Sequence, residues 1–68
     1  MERYVKEVYK DLCKLSAEYY QAGKISVDTL MEVQDRLDKA YKSAKAYLIT
    51  SVEAVTAMCK VCYDNEIW

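Results

Sequence analysis

The sequence predicts an all-α fold, and three observations carry that prediction. Proline is absent and glycine occurs once in 68 residues, far fewer turn residues than a compact all-β domain needs. Ala, Leu, Lys, Glu, Met and Gln, which all favour helix, are frequent. Apolar residues recur at alternating spacings of three and four, the repeat of a helix that packs along one side. The apolar fraction of 53% is enough to drive folding. The chain is nevertheless a single small domain, and cores of this size are marginal without a disulfide, a metal or a partner chain.

The first helix is expected over about residues 3–22. Val5, Val8, Leu12, Leu15, Tyr19 and Ala22 form its packing seam. Lys6, Lys10 and Lys14 occupy another face, with Glu2, Glu7, Asp11 and Glu18 nearby, so that side reads as solvated and laced with i,i+4 pairs. Gly23 stands just past this helix, where the backbone often turns left-handed. Ser26 is placed to cap the next helix, and Asp28 adds a negative charge to its first turn. The turn is therefore expected at residues 23–26, and so short a connection makes antiparallel neighbours.

Over about residues 27–63 the pattern predicts one long helix. Leu30, Gln34, Leu37, Tyr41, Ala44, Leu48, Ser51, Val55, Met58 and Cys62 keep a single phase, with a second seam of Val33, Ala40, Tyr47, Ala54 and Val61 beside it. One candidate break exists: Thr50 precedes Glu53 by three residues, the spacing of a capping box. The unbroken phase and the lack of a local Gly or Pro favour continuity.

At 1.5 Å per residue the second helix then outruns the first by roughly 25 Å. The overhang carries Leu48, Val52, Val55, Met58, Cys59 and Cys62, and each large side chain left in water forgoes roughly 1.5–3 kcal/mol of burial. The expectation is thus an antiparallel helical hairpin that self-associates, as a dimer, into a four-helix bundle. The alternative is a monomeric three-helix bundle broken near Thr50. The tail "DNEIW" is expected to fray unless Ile67 and Trp68 dock on a neighbour.

The stretch "YQAGKISVDTLMEVQDRLDKA" resembles a recurring segment of the outer-membrane efflux, or TolC-like, family. There a helix ends at a Gly, and a hydroxyl residue then opens a second helix with Leu, Gln, Leu and Ala at helical spacing. The matching positions are Tyr20, Gly23, Ser26, Leu30, Gln34, Leu37 and Ala40, and the likeness covers roughly residues 19–52. It implies helical-hairpin packing with lateral self-association, and no catalytic group. The family's barrel strands, second repeat and secretion signal have no counterpart here.

Chemistry is sparse. Ten basic and eleven acidic residues are mixed along the chain, leaving no basic footprint for nucleic acid. No histidine is present, which removes His-based acid–base and Ser–His catalysis, and no Gly-rich phosphate loop occurs. Cys59 and Cys62 form a CxxC pair, with Cys13 as a third thiol. A redox pair wants a helix N-terminus, and this one sits near a helix C-terminus. Structural zinc wants four ligands, which only two copies of the pair could supply. The simpler expectation is that these cysteines pack as small hydrophobes, with no metal and no cofactor.

Seven tyrosines and one tryptophan, with no phenylalanine, suit half-buried positions and protein interfaces. The expected interaction residues are Tyr41, Tyr47, Leu48, Val52, Val55, Met58, Cys59 and Cys62. No apolar run is long enough to span a bilayer, and the opening "MERYVKEVYK" lacks the core of a signal peptide, so a cytoplasmic protein is expected. The sequence therefore points to a non-catalytic helical interaction or assembly module whose partner is a second copy or another protein. Its alternatives are a compact inhibitor or regulator, of the kind short phage or mobile-element reading frames encode, and a thiol or zinc-clasped dimer through Cys59 and Cys62.

Overall fold

The computed structural model describes residues 2–67, which form three helices: α1 (Arg3–Gln21), α2 (Val27–Lys45) and α3 (Ser51–Asp64). Every helix packs against both others, and the bundle measures 35 × 17 × 15 Å between Cα extremes. Glu2 N lies 3.5 Å from Ser51 Oγ, which puts the starts of α1 and α3 at one end. The course is therefore up, down, up.

Residues 27–63 are not one helix, and this corrects the expectation of a long second helix. The chain turns back over residues 46–50, and this buries Met58 and Cys62 of the expected overhang and half-buries Val55 and Cys59, while Leu48 and Val52 stay exposed. Two local devices make the turn. Ala46 ends α2 and Tyr47 takes a left-handed conformation (φ 59°). This lets Leu48 N donate to Ser43 O at 2.9 Å and Tyr47 N to Ala44 O at 3.0 Å, the paired bonds of a Schellman stop. Thr50 then starts α3: Glu53 N donates to Thr50 Oγ1 at 3.1 Å, while Thr50 N donates to Glu53 Oε1 at 3.0 Å. Each bond satisfies an N–H that a helix start leaves orphaned.

The α1–α2 turn has the same construction. Gly23 (φ 76°) stands where Tyr47 stands, Lys24 N donates to Tyr19 O at 2.9 Å and Gly23 N to Tyr20 O at 3.0 Å. Ser26 caps α2 by accepting from Thr29 N at 3.2 Å, as its position and type predicted. Ile25 and Ile49, each just before its cap, both pack against the core. The helix caps Glu2, Ser26 and Thr50 thus recur every 24 residues, although Glu2 makes no side-chain cap bond.

A third Schellman stop ends α3. Glu66 is left-handed (φ 58°), Ile67 N donates to Cys62 O at 2.9 Å and Glu66 N to Tyr63 O at 3.1 Å. The stop carries Ile67 back over the bundle, where it is fully buried. The tail therefore docks within its own chain as far as Ile67, and Trp68 lies outside the described residues.

The core consists of Val5 and Leu12 of α1, Val33, Leu37, Ala40 and Ala44 of α2, Ala54, Met58 and Cys62 of α3, and Ile67. Ser16 is also wholly buried, a position the seam of α1 did not mark. Its small side chain donates to Cys13 O at 2.9 Å, so the hydroxyl is satisfied without a neighbour. Of the predicted seam, Leu15 and Tyr19 are half-buried and Ala22 is exposed.

Candidate functional site

Three groupings of side chains could bear function: the thiols, a tyrosine–carboxylate bridge, and apolar side chains left in solvent.

The thiols of α1 and α3 lie near one another. The parallel course of these helices brings Cys13 level with Cys62, whereas a two-helix hairpin would have kept Cys13 remote from the CxxC pair. All three cysteines are free; Cys62 is buried, and Cys13 and Cys59 are half-buried. Burial pushes the Cys62 thiol up to about 11, helped by the nearby Cys59 and Cys13 sulfurs. Burial also raises Cys13. Thiols held in the protonated form are poor nucleophiles and poor metal ligands. Among the described residues no three His, Cys, Asp or Glu side chains are placed to hold a metal ion.

The bridge joins α1 to α2. Tyr9 donates its hydroxyl to Asp38 Oδ1, and its ring stacks on Tyr41 with centroids 4.5 Å apart and planes 6° from parallel. The hydrogen bond to Asp38, together with desolvation, holds the Tyr9 phenol well above its ordinary value. The pair fixes the register of the two helices with one polar and one aromatic contact. Nothing in the spacing of the sequence marks Tyr9 and Asp38 as partners. Tyr41, expected at an interface with another chain, is used here instead.

The predicted interaction residues separate into two sets. Met58 and Cys62 lie in the core, Val55 packs against it, and Cys59 is half-buried. Tyr47, Leu48 and Val52 are 79%, 78% and 69% exposed. They follow one another through the α2–α3 turn and the first turn of α3. At that same end Tyr4 is 43% exposed. The opposite end carries Tyr20, Val27, Met31 and Tyr63 at 42%, 49%, 65% and 74%. These eight are the exposed large apolar side chains among the described residues, and all lie toward the helix ends. The middle of α2 instead shows the exposed pairs Arg36–Glu32 at 2.9 Å and Lys39–Asp35 at 3.2 Å.

Gly23 and Ser26 hold the structural places expected of them. No helix among the described residues is long and apolar enough to cross a membrane. No protein-family model, curated protein or solved structure matches the chain.

Proposed function

We propose that this protein is a small non-catalytic interaction module that binds a protein partner through apolar side chains presented at the ends of a closed three-helix bundle. The observation that carries the reading is the run Tyr47, Leu48 and Val52. A chain this short has few large apolar residues to spend, yet these three stay in solvent while the core closes without them. Isolated exposed apolar residues are ordinary on protein surfaces. Tyr47 and Leu48 in the turn and Val52 in the first turn of α3, at the end that also carries the partly exposed Tyr4, offer a compact surface of the kind that interfaces favour. The absence of histidine and the protonated state of Cys62 and Cys13 add to the case for binding over catalysis. A zinc clasp between CxxC pairs would have to draw Cys62 out of the core, at the cost of its burial.

The test is site-specific photocrosslinking in cells that express the chain, with the crosslinker at position 48 and, as control, at exposed position 10. The reading expects protein adducts from position 48 and few from position 10. Adducts to the same chain identify an assembly module, and adducts to a larger protein identify a regulator or inhibitor. Equal yields from the two positions would overturn it.

A further inference from the structure

We infer that the two ends of the bundle are complementary and that a second copy of this chain docks end to end, the α2–α3 turn of one copy on the α1–α2 turn end of the next. The inference rests on the interaction-module reading and names the partner and its geometry. Its basis is a polarity of charge that parallels the polarity of topology. The half of the bundle at the α2–α3 turn, residues 2–11 and 36–57, carries seven basic and five acidic side chains. The other half, residues 12–35 and 58–67, carries three basic and six acidic. The first half is thus net +2 and the second net −3.

The helix dipoles point the same way. With three helices running up, down and up, the α2–α3 turn end holds two N-termini and one C-terminus, and the opposite end holds the reverse. One dipole is left uncompensated, positive at the basic end and negative at the acidic end. Both ends also present apolar side chains: Leu48 and Val52 at the basic end, and Val27, Met31 and Tyr63 at the acidic end. Two like ends brought together would set like charge against like. Unlike ends bring apolar surface together inside a favourable field.

An end-to-end contact is heterologous, since each copy uses two different surfaces, and it leaves one surface free at each tip. The end face spans only 17 × 15 Å between Cα extremes. Each contact is therefore small, and the association is weak, salt-sensitive and open-ended.

Sedimentation of the purified chain, with reductant, at concentrations from about 50 µM to about 1 mM and at low and high salt provides the test. The average mass should climb past that of a dimer at low salt and fall back toward the 7.9 kDa monomer at high salt. Two surface variants sharpen it: Leu48→Ser with Val52→Ser at the basic end, and Val27→Ser with Met31→Ser at the acidic end. These side chains are exposed, and unchanged circular dichroism melting would verify the fold. Each variant alone should stay monomeric, while an equimolar mixture should form dimers and stop there, because each retains the surface the other lacks.

A wild-type mass that saturates at a dimer, association indifferent to salt, or a mixture that stays monomeric would overturn the inference. So would a wild-type chain that is monomeric throughout. If that monomer still gave position-48 adducts to a different protein, the module reading would stand and only the end-to-end docking would fall.

Discussion

The two interhelical turns have the same backbone and different sequences. In Ala22-Gly23-Lys24-Ile25-Ser26 and Ala46-Tyr47-Leu48-Ile49-Thr50, the second residue is left-handed, the fourth packs on the core and the fifth caps the next helix. Glycine enters the left-handed region freely, whereas a tyrosine there costs roughly 1–2 kcal/mol. The first turn is therefore favoured locally. The second depends more on what surrounds it: a reciprocal cap and the burial that α3 gains by folding back. A turn can be set by its residues or by the packing on either side of it, and only the first kind announces itself in composition.

The largest break in the comparison should come from the packing that supports the second turn. Met58→Ala removes a wholly buried side chain, and the loss should be about 2–5 kcal/mol in urea unfolding. Because Met58 is buried within its own chain, the unfolding midpoint should not move with protein concentration at high salt and well below about 50 µM, where end-to-end docking is absent. A midpoint that still rises with concentration under those conditions would mean that another copy supplies that burial.

Exchanging the left-handed residues should give effects of opposite sign. Gly23→Ala meets no steric obstacle, since nothing lies within 4 Å of an added Cβ, so its cost of about 1 kcal/mol is purely that of the backbone. Tyr47→Gly should raise stability by up to about 1 kcal/mol as strain is relieved. If both substitutions destabilised equally in thermal melts, the strain assigned to Tyr47 would be wrong.

The caps differ in reciprocity. Thr50→Ala abolishes one bond of the box and unseats Glu53, and should cost about 1–2 kcal/mol; Ser26→Ala removes a one-way cap and should cost less, about 1 kcal/mol. Chemical denaturation of the two variants in parallel checks the order.

The smallest difference concerns acid. The hydrogen bond from Thr50 N holds the Glu53 carboxyl below its ordinary value, so the folded state favours the carboxylate. That contribution is present above the unfolded-state pKa and is lost as pH falls through the folded one. Glu53→Gln should therefore flatten the decline in stability just below about pH 4.3. The Ser26 cap is made of hydroxyls and contains no such carboxylate, so Ser26→Ala should leave the acid limb unaltered.

Most of the first two helices could be read from the sequence, because Gly23 and Ser26 are the residue types their positions favour. The fold-back was harder to see for a physical reason. The residues over 46–50 preserve the heptad count, so Ala40 and Ala54 sit two heptads apart and both are buried, on different helices. Hydrophobic phase therefore carried straight through a chain reversal. The Thr50–Glu53 spacing was the one visible signal, and it marks a helix start that proves real. On the candidate surface, Tyr47, Leu48 and Val52 were anticipated, whereas Val27, Met31 and Tyr63 were not. Their exposure depends on how the three helices pack against one another, which periodicity along one helix does not encode. Ser16 and the Tyr9–Asp38 bond were hidden for the same reason.

The bundle exists because the chain reverses at residues 46–50 with Tyr47 left-handed. Backbone NMR chemical shifts and HN–Hα couplings across residues 43–53, in a dilute reduced sample, test it most directly. Helical shifts should run up to Lys45, φ should be positive at Tyr47, and helical shifts should resume at Ser51. Uninterrupted helical shifts through Tyr47 and Thr50 would contradict it.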